Sequence, residues 1–232
     1  MSEKLLVIIP ARGGSKGLPR KNLALLGGRP LVAWSIDVGL RTPSVGRVVV
    51  STDDDEVAAV SLAAGADVPF RRPAELASDN ATSAAVVLHA LTALGENGTG
   101  RVERIVLLQP TSPLRDVSDV EGAIRLSLAR DADAVVSVSE AECHPWYAVS
   151  LDHEGRLHDM IEHPRFDRRQ DLTPAYRVNG AVYVVRRTTL EAQQTLIPAG
   201  ALAWVMPPER SVDIDRHVDL IVAEALLREG PR

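Results

Sequence analysis

Short apolar runs alternate with helical patterns along most of the sequence, and this alternation restricts the folds that the chain can adopt. Six runs rich in Val, Ile and Leu have the length and β-branched content of buried strands, at residues 5–9, 47–51, 105–109, 134–138, 181–185 and 202–206. Helical periodicity occurs between most of them, at residues 31–40, 54–64, 83–94, 117–129 and 218–227. The pattern predicts an α/β fold, Rossmann-like, with a mostly parallel sheet covered by helices on both faces.

One stretch, residues 140–176, departs from this rhythm, since it is rich in His, Arg, Asp and Pro and has few apolar periodicities. A solvent-exposed connection would explain it, but loops of that length without structure are uncommon in compact domains and are often functional. We therefore predict one α/β domain formed by residues 1–139 and 177–232, with residues 140–176 inserted as a small subdomain that contacts a partner subunit and the substrate. A chain of 232 residues with 45% hydrophobic content is long enough for this arrangement.

Charge and composition exclude several functional classes. The net charge of −5 argues against a nucleic-acid-binding surface. No apolar run approaches the roughly 18 residues of a membrane span, and the N-terminus does not resemble a signal peptide, so a cytoplasmic protein without a membrane partner is predicted. The single cysteine, Cys143, cannot form an internal disulfide and has no cysteine neighbours for a zinc site, so we interpret it as structural or incidental rather than as a catalytic thiol.

A glycine-rich loop with four cations follows the first predicted strand, in the sequence IPARGGSKGLPRKN at residues 9–22. Its glycines allow backbone N–H groups to approach oxyanions, and its cations can offset the negative charges of a nucleoside triphosphate. The cations are Arg12, Lys16, Arg20 and Lys21. Open α/β sheets bind ligands at the carboxyl ends of their strands, which favours a phosphate site over a surface loop with solvated cations.

The loop does not match the two best-known phosphate-binding motifs. The dinucleotide motif requires G-x-G-x-x-G and the P-loop requires G-x-x-x-x-G-K-[ST], whereas this chain has Gly13, Gly14 and Gly17 followed by Leu18-Pro19. Pro19 also disfavours a helical conformation at Leu18. A different nucleotide-binding architecture is therefore expected.

A pair of aspartates near the C-terminus forms a candidate metal site. In SVDIDR at residues 211–216, Val212 and Ile214 alternate with Asp213 and Asp215, so an extended backbone would project both carboxylates to one side. Such a pair suits Mg²⁺, which favours a few carboxylates together with substrate phosphates and water. The alternative is that these aspartates only cap the helix that begins near Arg216.

Five sequence blocks, in order and spanning nearly the whole chain, resemble the acylneuraminate cytidylyltransferases, the CMP-sialic acid synthetases. They are IPARGGSKGLPRKN, RPAELASDNATS, LLQPTSPLR, RQDLTPAYRVNGAVY and SVDIDRHVDL. The resemblance implies a nucleotide-diphospho-sugar transferase type of fold and a homodimer. It also implies that CTP reacts with a nonulosonic acid, a nine-carbon acidic sugar, to give a CMP-sugar and pyrophosphate, and it supports Mg²⁺ at Asp213 and Asp215.

The resemblance also implies residue roles around the nucleotide. The matching positions are Ala11, Arg12, Gly13, Gly14, Ser15, Lys16, Lys21, Asn22, Arg72, Asp79 and Ser83. Asn22 and Arg72 would lie near the cytosine, where an amide and a guanidinium can supply donors to O2 and N3. Asp79 could equally be an N-cap or first-turn acid of the following helix. Arg12, Lys16, Lys21 and Asp215 are the candidate catalytic residues, with Asp215 taking the hydroxyl proton.

The predicted sugar-binding residues are Gln109, Tyr147, Arg169, Arg177 and Asn179. Arg169 suits the substrate carboxylate. Alternatively Asn179-Gly180 is only a turn, and Arg169 is a solvated charge. Tyr147 stands where sialic-acid-specific bacterial members commonly have a lysine, which leaves N-acetylneuraminate, its deaminated analogue, legionaminate and pseudaminate all open.

The sequence is compatible with two rival functions. A cytidylyltransferase for ketodeoxyoctonate would share the fold, but Gly13-Gly14-Ser15-Lys16 speaks against it because those enzymes have an altered opening loop. A module that binds CTP without turnover is disfavoured by the retained Asp213 and Asp215.

Overall fold

A computed structural model describes residues 5–99, 102–161 and 172–230. Its strands are β1 (Leu5–Pro10), β2 (Leu25–Leu26), β3 (Arg29–Pro30), β4 (Val45–Ser51), β5 (Arg104–Leu108), β6 (Ala134–Glu140), β7 (Val149–Leu151), β8 (Leu157–Asp159), β9 (Tyr176–Arg186) and β10 (Leu202–Val205). Its α-helices are α1 (Leu31–Arg41), α2 (Asp55–Ala63), α3 (Ser83–Thr99), α4 (Val117–Ala129), α5 (Arg187–Gln193) and α6 (His217–Glu229). All six predicted strands and all five predicted helices are present.

The central sheet has six strands in the order β10-β6-β9-β5-β1-β4. β1 pairs in parallel with β4 and β5, and β10 pairs in parallel with β6. β9 is antiparallel to both of its neighbours, β5 and β6. The sheet is therefore mostly parallel with one reversed strand, which confirms the predicted fold class.

Each face of the sheet carries its own apolar layer because successive side chains of a strand point to opposite faces. In β1, Val7 and Ile9 pack with α1, α2 and α4, whereas Leu6 and Ile8 pack with α3 and α5. A third, smaller cluster joins α6 to the β2–β3 hairpin. Helices cover both faces, as predicted. No helix in the described parts of the chain has both the length and the hydropathy of a membrane span.

The stretch predicted to be an insertion begins where the β6–β9 ladder ends, at the pair Glu140 and Tyr176. Its described part contains a 3₁₀ turn, Pro145–Tyr147, and the antiparallel β7–β8 hairpin, whose residues are all exposed. Leu151 and Leu157 are 66% and 68% exposed. The division of the chain into a main domain and an inserted subdomain stays a prediction.

Candidate active site

A cleft of about 270 Å³ lies at the carboxyl ends of β1 and β5. Its walls come from the loop after β1, the segment before α3, the turn after β5 and the segment before α6. Nine of the predicted site residues line it: Arg12, Lys21, Asn22, Arg72, Asp79, Ser83, Gln109, Asp213 and Asp215. The structure thus brings together residues that are far apart in the sequence.

The glycine-rich loop is held against two other elements at positions where a side chain would not fit. The Gly13 N–H donates to Asp53 Oδ1 (3.0 Å), and a Cβ on Gly13 would come within 2.6 Å of Asp54 Oδ2. A Cβ on Gly17 would lie 2.4 Å from the carbonyl oxygen of Asp215. These two glycines therefore permit the loop to approach both the start of α2 and the aspartate segment.

Three other predicted loop residues, Ala11, Gly14 and Ser15, lie beside the described cleft and do not line it. Ala11 is buried, and its N–H donates to the Ser51 carbonyl at 3.0 Å, which continues the β1–β4 ladder. Gly14 and Ser15 follow, and a Cβ on Gly14 would meet no atom within 4 Å. This segment has open space on its outer side, and its predicted phosphate contacts stay predictions.

Two loop cations meet one carboxylate at the edge of the cleft. Arg12 Nη2 and Lys16 Nζ each lie 2.7 Å from an oxygen of Asp79, and Arg12 Nη1 also donates to the Ala77 carbonyl at 3.3 Å. Hydrogen bonds from Lys16 and Arg12 hold the pKa of Asp79 below its usual value. The alternative interpretation of Asp79 as an N-cap is wrong, because α3 begins at Ser83 and Thr82 Oγ1 accepts from the Ala85 N–H.

The neighbouring cations Arg20 and Lys21 have different partners. Lys21 Nζ lies 2.8 Å from Asp215 Oδ1, inside the cleft. Arg20 instead donates to Glu56 Oε2 (2.7 Å) and Asp54 Oδ1 (3.4 Å), at the start of α2. Arg20 does not line the cleft as described, because its guanidinium connects the loop to the start of α2, and its predicted contact with phosphate stays a prediction.

Asn22 and Arg72 form a buried polar corner of the cleft, with exposed fractions of 6% and 4%. Asn22 Nδ2 donates to the Arg12 carbonyl at 2.7 Å, and Arg72 Nε and Nη2 donate to Ser51. Among the described residues, no partner is found for Arg72 Nη1. Burial lowers the pKa of Arg72 to about 10, so its guanidinium remains charged at neutral pH. Both side chains are fixed in position and retain unused hydrogen-bonding atoms.

The aspartate segment is extended, as the alternation predicts. Ile214 is fully buried, and its N–H donates to the Thr111 carbonyl at 2.8 Å, while Asp213 and Asp215 line the cleft. Asp213 Oδ1 is buried with no hydrogen-bond partner in the described structure. Burial raises the pKa of Asp213, the nearby Asp215 charge adds to this effect, and the Thr111 side chain opposes it.

This donor set fits a divalent cation. A buried carboxylate oxygen without a partner, beside a second carboxylate, matches the preference of Mg²⁺ for a few protein oxygens completed by phosphate and water. No group of three or more His, Cys, Asp or Glu side chains suited to a metal is found among the described residues, so a cation here would need ligands from the substrate. Helix capping is not the role of this pair, because Asp219 Oδ2 accepts from the Asp215 and Arg216 N–H groups at the start of α6.

The predicted sugar residues separate into four groups, the last of which is the buried Asn179. Gln109 lines the cleft and packs on Gly180, where a Cβ would lie 2.8 Å from Gln109 Oε1. Arg177 and Tyr147 do not line the cleft as described: Arg177 Nη2 donates to the Ser211 carbonyl at 3.2 Å, and Tyr147 is 49% exposed on the 3₁₀ turn. Arg169 lies outside the described residues.

Asn179, predicted to face the sugar, is 1% exposed and its amide is bonded within the protein. Its Oδ1 accepts from Ser137 Oγ (2.6 Å) and the Ala181 N–H (3.1 Å), and its Nδ2 donates to Ser211 Oγ (2.9 Å). This arrangement favours a structural role, in which Asn179 connects β6 and β9 to the start of the aspartate segment.

Sequence reasoning missed three residues that shape the cleft: Asp53, which accepts from the loop, Thr111, which contacts Asp213, and Arg115, which is buried under the turn after β5. Thr111 and Arg115 lie in the LLQPTSPLR block, so the block itself was the available signal. Asp53 follows β4 in the sequence STDDDE, and nothing there distinguishes it from the three acidic residues that follow it.

Comparisons with known proteins agree with this geometry. The family described as Cytidylyltransferase matches residues 6–198. An N-acylneuraminate cytidylyltransferase of Streptococcus agalactiae is 36% identical over 94% of this chain, but the chain spans only about half, 52%, of that relative. A CMP-N,N'-diacetyllegionaminic acid synthase of Legionella pneumophila is 30% identical, with 97% of this chain and 96% of the relative covered.

Among solved structures, a CMP:2-keto-3-deoxy-manno-octonic acid synthetase complexed with CTP superposes with a TM-score of 0.73. The alignment covers 98% of this chain and 99% of the other, at 18% identity, so it supports the shared fold alone. The family match extends from β1 through α5 and includes the glycine-rich loop, Arg72, Asp79 and Gln109. On this evidence the chain belongs to the cytidylyltransferase family.

Proposed function

We propose that this protein transfers the cytidylyl group of CTP to a nonulosonic acid and releases pyrophosphate. The observation that carries the proposal is the convergence, in one cleft, of loop cations, a buried polar corner, two carboxylates and Gln109. In the reaction, the anomeric hydroxyl oxygen bonds to the α-phosphorus, the bond from that phosphorus to the bridging oxygen of the β-phosphate breaks, and the hydroxyl loses its proton. Positioning and charge neutralisation supply most of the catalysis in reactions of this type.

The loop cations would bind the triphosphate. Arg12, Lys16 and Lys21 are each held by a carboxylate of Asp79 or Asp215, so their ammonium and guanidinium groups are already positioned at the cleft. Lys21 is the best placed of them, because its side chain is only 15% exposed and lies within the cleft. In a water-depleted site such charges act more strongly on phosphate oxygens than they do in bulk water.

Asp213 and Asp215 would hold Mg²⁺. When bound there, the cation would neutralise charge on the phosphates and on the departing pyrophosphate. Asp213 must be ionised to act as a ligand, and its raised pKa means that the empty protein partly resists this ionisation. Asp215, which is more exposed, is the proposed acceptor of the hydroxyl proton.

Asn22 and Arg72 would recognise the base. Their side chains are fixed by hydrogen bonds to Arg12 and Ser51, and the atoms left over include a guanidinium donor that can meet O2 or N3 of cytosine. Uracil carries an N–H at N3 and would oppose that donor. The site is therefore proposed to prefer CTP to UTP.

The acceptor is proposed as a class rather than as one acid. The relatives are named for N-acylneuraminate and for diacetyllegionaminate. By the resemblance, Tyr147 stands where a lysine would be expected in a sialic-acid-specific member. Arg169 and Gln109 would bind the carboxylate that all nonulosonic acids share. Ketodeoxyoctonate ranks behind them because the synthetase for that acid resembles this chain at only 18% identity.

A homodimer is part of the proposal, with the β7–β8 hairpin in the interface. Three large apolar side chains on and beside the hairpin, Leu151, Leu157 and Met160, are each about two-thirds exposed. Exposed apolar residues concentrated on one projecting element are typical of an interaction surface. The predicted cytoplasmic location stays a prediction.

A pyrophosphate-release assay tests the proposal. Purified protein is supplied with Mg²⁺, CTP and each of N-acetylneuraminate, its deaminated analogue, legionaminate, pseudaminate and ketodeoxyoctonate. We expect release that requires both CTP and at least one nonulosonic acid. If ketodeoxyoctonate is the only acid that gives release, the protein is a cytidylyltransferase for that rival substrate. Binding of CTP without turnover of any acid would indicate a non-catalytic module.

A further inference from the structure

A buried arginine lies under the turn that follows β5. Arg115 is 2% exposed, and its Nη1 donates to the carbonyls of Gln109 (2.8 Å) and Ser112 (2.7 Å). Its Nη2 donates to the Gln109 carbonyl and to Ser35 Oγ on α1. The planar guanidinium of Arg115 therefore joins the two ends of the turn 109–112 by hydrogen bonds and also binds that turn to helix α1 through Ser35.

The turn that Arg115 closes is connected to both sides of the proposed reaction. Its first residue, Gln109, faces the proposed sugar side and packs on Gly180. Its third residue, Thr111, contacts the Asp213 carboxylate with its side chain and accepts from the Ile214 N–H with its carbonyl. A shift of this turn would move Gln109 and the aspartate segment together.

The charge of Arg115 is not matched by a contacting carboxylate. The nearby acid, Asp119, is bound in a bidentate pair by Arg210, at 2.8 and 2.9 Å. Burial lowers the pKa of Arg115 to about 9, and its Nε is buried without a partner in the described structure. Burying such a group is unfavourable, and an apolar side chain of similar size would often serve stability as well. We therefore explain the presence of Arg115 by its geometry. The planar guanidinium has donors in fixed directions and binds two carbonyls and a hydroxyl at once, whereas a lysine ammonium lacks this fixed arrangement.

We propose that Arg115 is a positioning residue for the cytidylyl transfer: it fixes the turn 109–112, and through that turn it places Gln109 for the sugar and Asp213 for the cation. This inference rests on the proposed function. Arg115 does not line the cleft as described, so its loss should affect the sugar and the chemical step while sparing the Mg²⁺-free binding of CTP by the glycine-rich loop.

The test compares Arg115→Met and Arg115→Lys with matched variants of Arg104. Arg104 is also a buried arginine, 6% exposed, but it begins β5 at the end away from the cleft and donates to Ser127 Oγ (3.1 Å) and Asp131 Oδ1 (2.6 Å). Three measurements are made: steady-state kinetics for each substrate, CTP binding by calorimetry without Mg²⁺, and amide hydrogen exchange at Ser112 and Ile214. Those amides donate to the carbonyls of Gln109 and Thr111.

We expect Arg115→Met to lower kcat/KM for the sugar about 100-fold, the effect of displacing catalytic groups by roughly 1 Å, with CTP affinity within about threefold of wild type. Amide exchange at Ser112 and Ile214 should accelerate in Arg115→Met. Arg115→Lys should show a smaller loss of kcat/KM for the sugar, again with CTP affinity retained. Arg104→Met should show neither the kinetic loss nor the faster exchange. Equal losses for CTP and sugar, or the same split in Arg104→Met, would overturn the inference.

The two proposals fail in distinguishable ways. If the wild-type protein turns over no nonulosonic acid, the proposed function is wrong, and the exchange data alone then decide whether Arg115 fixes the turn. If the wild-type protein is active and Arg115→Met does not fold, the kinetics and amide exchange of Arg115→Lys decide whether Arg115 positions the turn. Wild-type exchange at Ser112 and Ile214 in both Arg115 variants would contradict the inference whatever the activity.

Discussion

Lys21 Nζ and Asp215 Oδ1 lie 2.8 Å apart across the cleft, although 194 positions separate the two residues in the sequence. The approach is possible because Gly17 leaves space for the Asp215 carbonyl. A proposed phosphate cation and a proposed metal ligand thus neutralise each other in the empty site. Binding of CTP with Mg²⁺ would supply each with a new partner, so the pair preorganises both groups.

Replacing Lys21 tests which loop cations act on the phosphates. Lys21→Met should lower kcat about 100-fold, because a positioned charge on the reacting phosphates is lost. Arg20→Met, the adjacent cation, should retain kcat because Arg20 pairs with Glu56 and Asp54 instead. Steady-state kinetics with saturating sugar measure both. Equal losses in the two variants would contradict the assignment of separate roles.

Asp213→Asn should stabilise the metal-free protein at neutral pH while it lowers activity. The folded pKa of Asp213 is raised above the unfolded value of about 3.9, chiefly by burial. The stability associated with its protonated form is therefore complete below the unfolded pKa and is lost as the pH rises through the folded pKa. Asp213→Asn, whose side chain does not ionise, should not lose stability in this way as the pH rises.

Denaturant unfolding of the metal-free protein across the acidic to neutral range measures the difference. Asp215→Asn is the control, since that more exposed carboxylate should show the loss of activity without the gain in stability. A metal-free Asp213→Asn protein less stable than wild type at neutral pH would show that Asp213 has a structural role.

Asp79 competes with the substrate in the empty protein, and Asp79→Asn should strengthen the binding of pyrophosphate. The Asp79 carboxylate pairs with both Arg12 and Lys16, and the neutral amide would release them. Calorimetric titration with pyrophosphate gives the Kd. A weaker affinity in the variant would instead indicate that Asp79 contributes to the ligand site directly.

Base selectivity should depend on Arg72. Wild-type kcat/KM for UTP should be more than about 100-fold below that for CTP, because a buried hydrogen-bonding site rejects a ligand with the wrong donor pattern. Arg72→Lys should reduce this ratio, whereas Arg71→Lys should preserve it because Arg71 is exposed and pairs with Asp55. Comparable turnover of both nucleotides by wild type would exclude Asn22 and Arg72 as the cytosine-reading pair.

The hairpin should form part of a homodimer interface. Light scattering at micromolar concentration should give the mass of two chains for wild type and of one chain for Leu151→Asp with Leu157→Asp. Leu128→Asp on α4 is the control, since Leu128 is also exposed, at 51%, but lies away from the hairpin in the sequence. A monomeric wild type would refute the dimer.

The strands and the long helices could be predicted because burial imposes their apolar periods. β1 and β5 are buried along nearly their whole length, and α4 repeats buried positions at helical spacing. α5 was missed because Thr189 and Leu190 are its only buried residues in the described structure, and β7 and β8 were missed because every residue in them is exposed. Elements that bury few apolar side chains do not produce a periodic apolar pattern in the sequence, so they are not predicted from it.

The cleft was largely predicted, but the orientations of individual polar side chains were not. Arg20 and Lys21 are adjacent cations, but Arg20, which has a left-handed backbone with φ of 51°, contacts Glu56 on α2, whereas Lys21 contacts Asp215. Asn179 lies beside an irregular step of the β6–β9 ladder, between Val136 and Val138, where a simple alternation no longer tells which side a residue faces. Both outcomes depend on tertiary geometry that a local pattern does not encode.

The identity of the reaction product is the sharpest test of cytidylyl transfer by this protein. The protein is incubated with CTP, Mg²⁺ and the panel of nonulosonic acids, and the product is analysed by mass spectrometry and phosphorus NMR. We expect a CMP-nonulosonate with one phosphodiester phosphorus and an equal amount of pyrophosphate. Unchanged CTP in the presence of every acid, or a CMP-sugar formed only from ketodeoxyoctonate, would contradict this expectation.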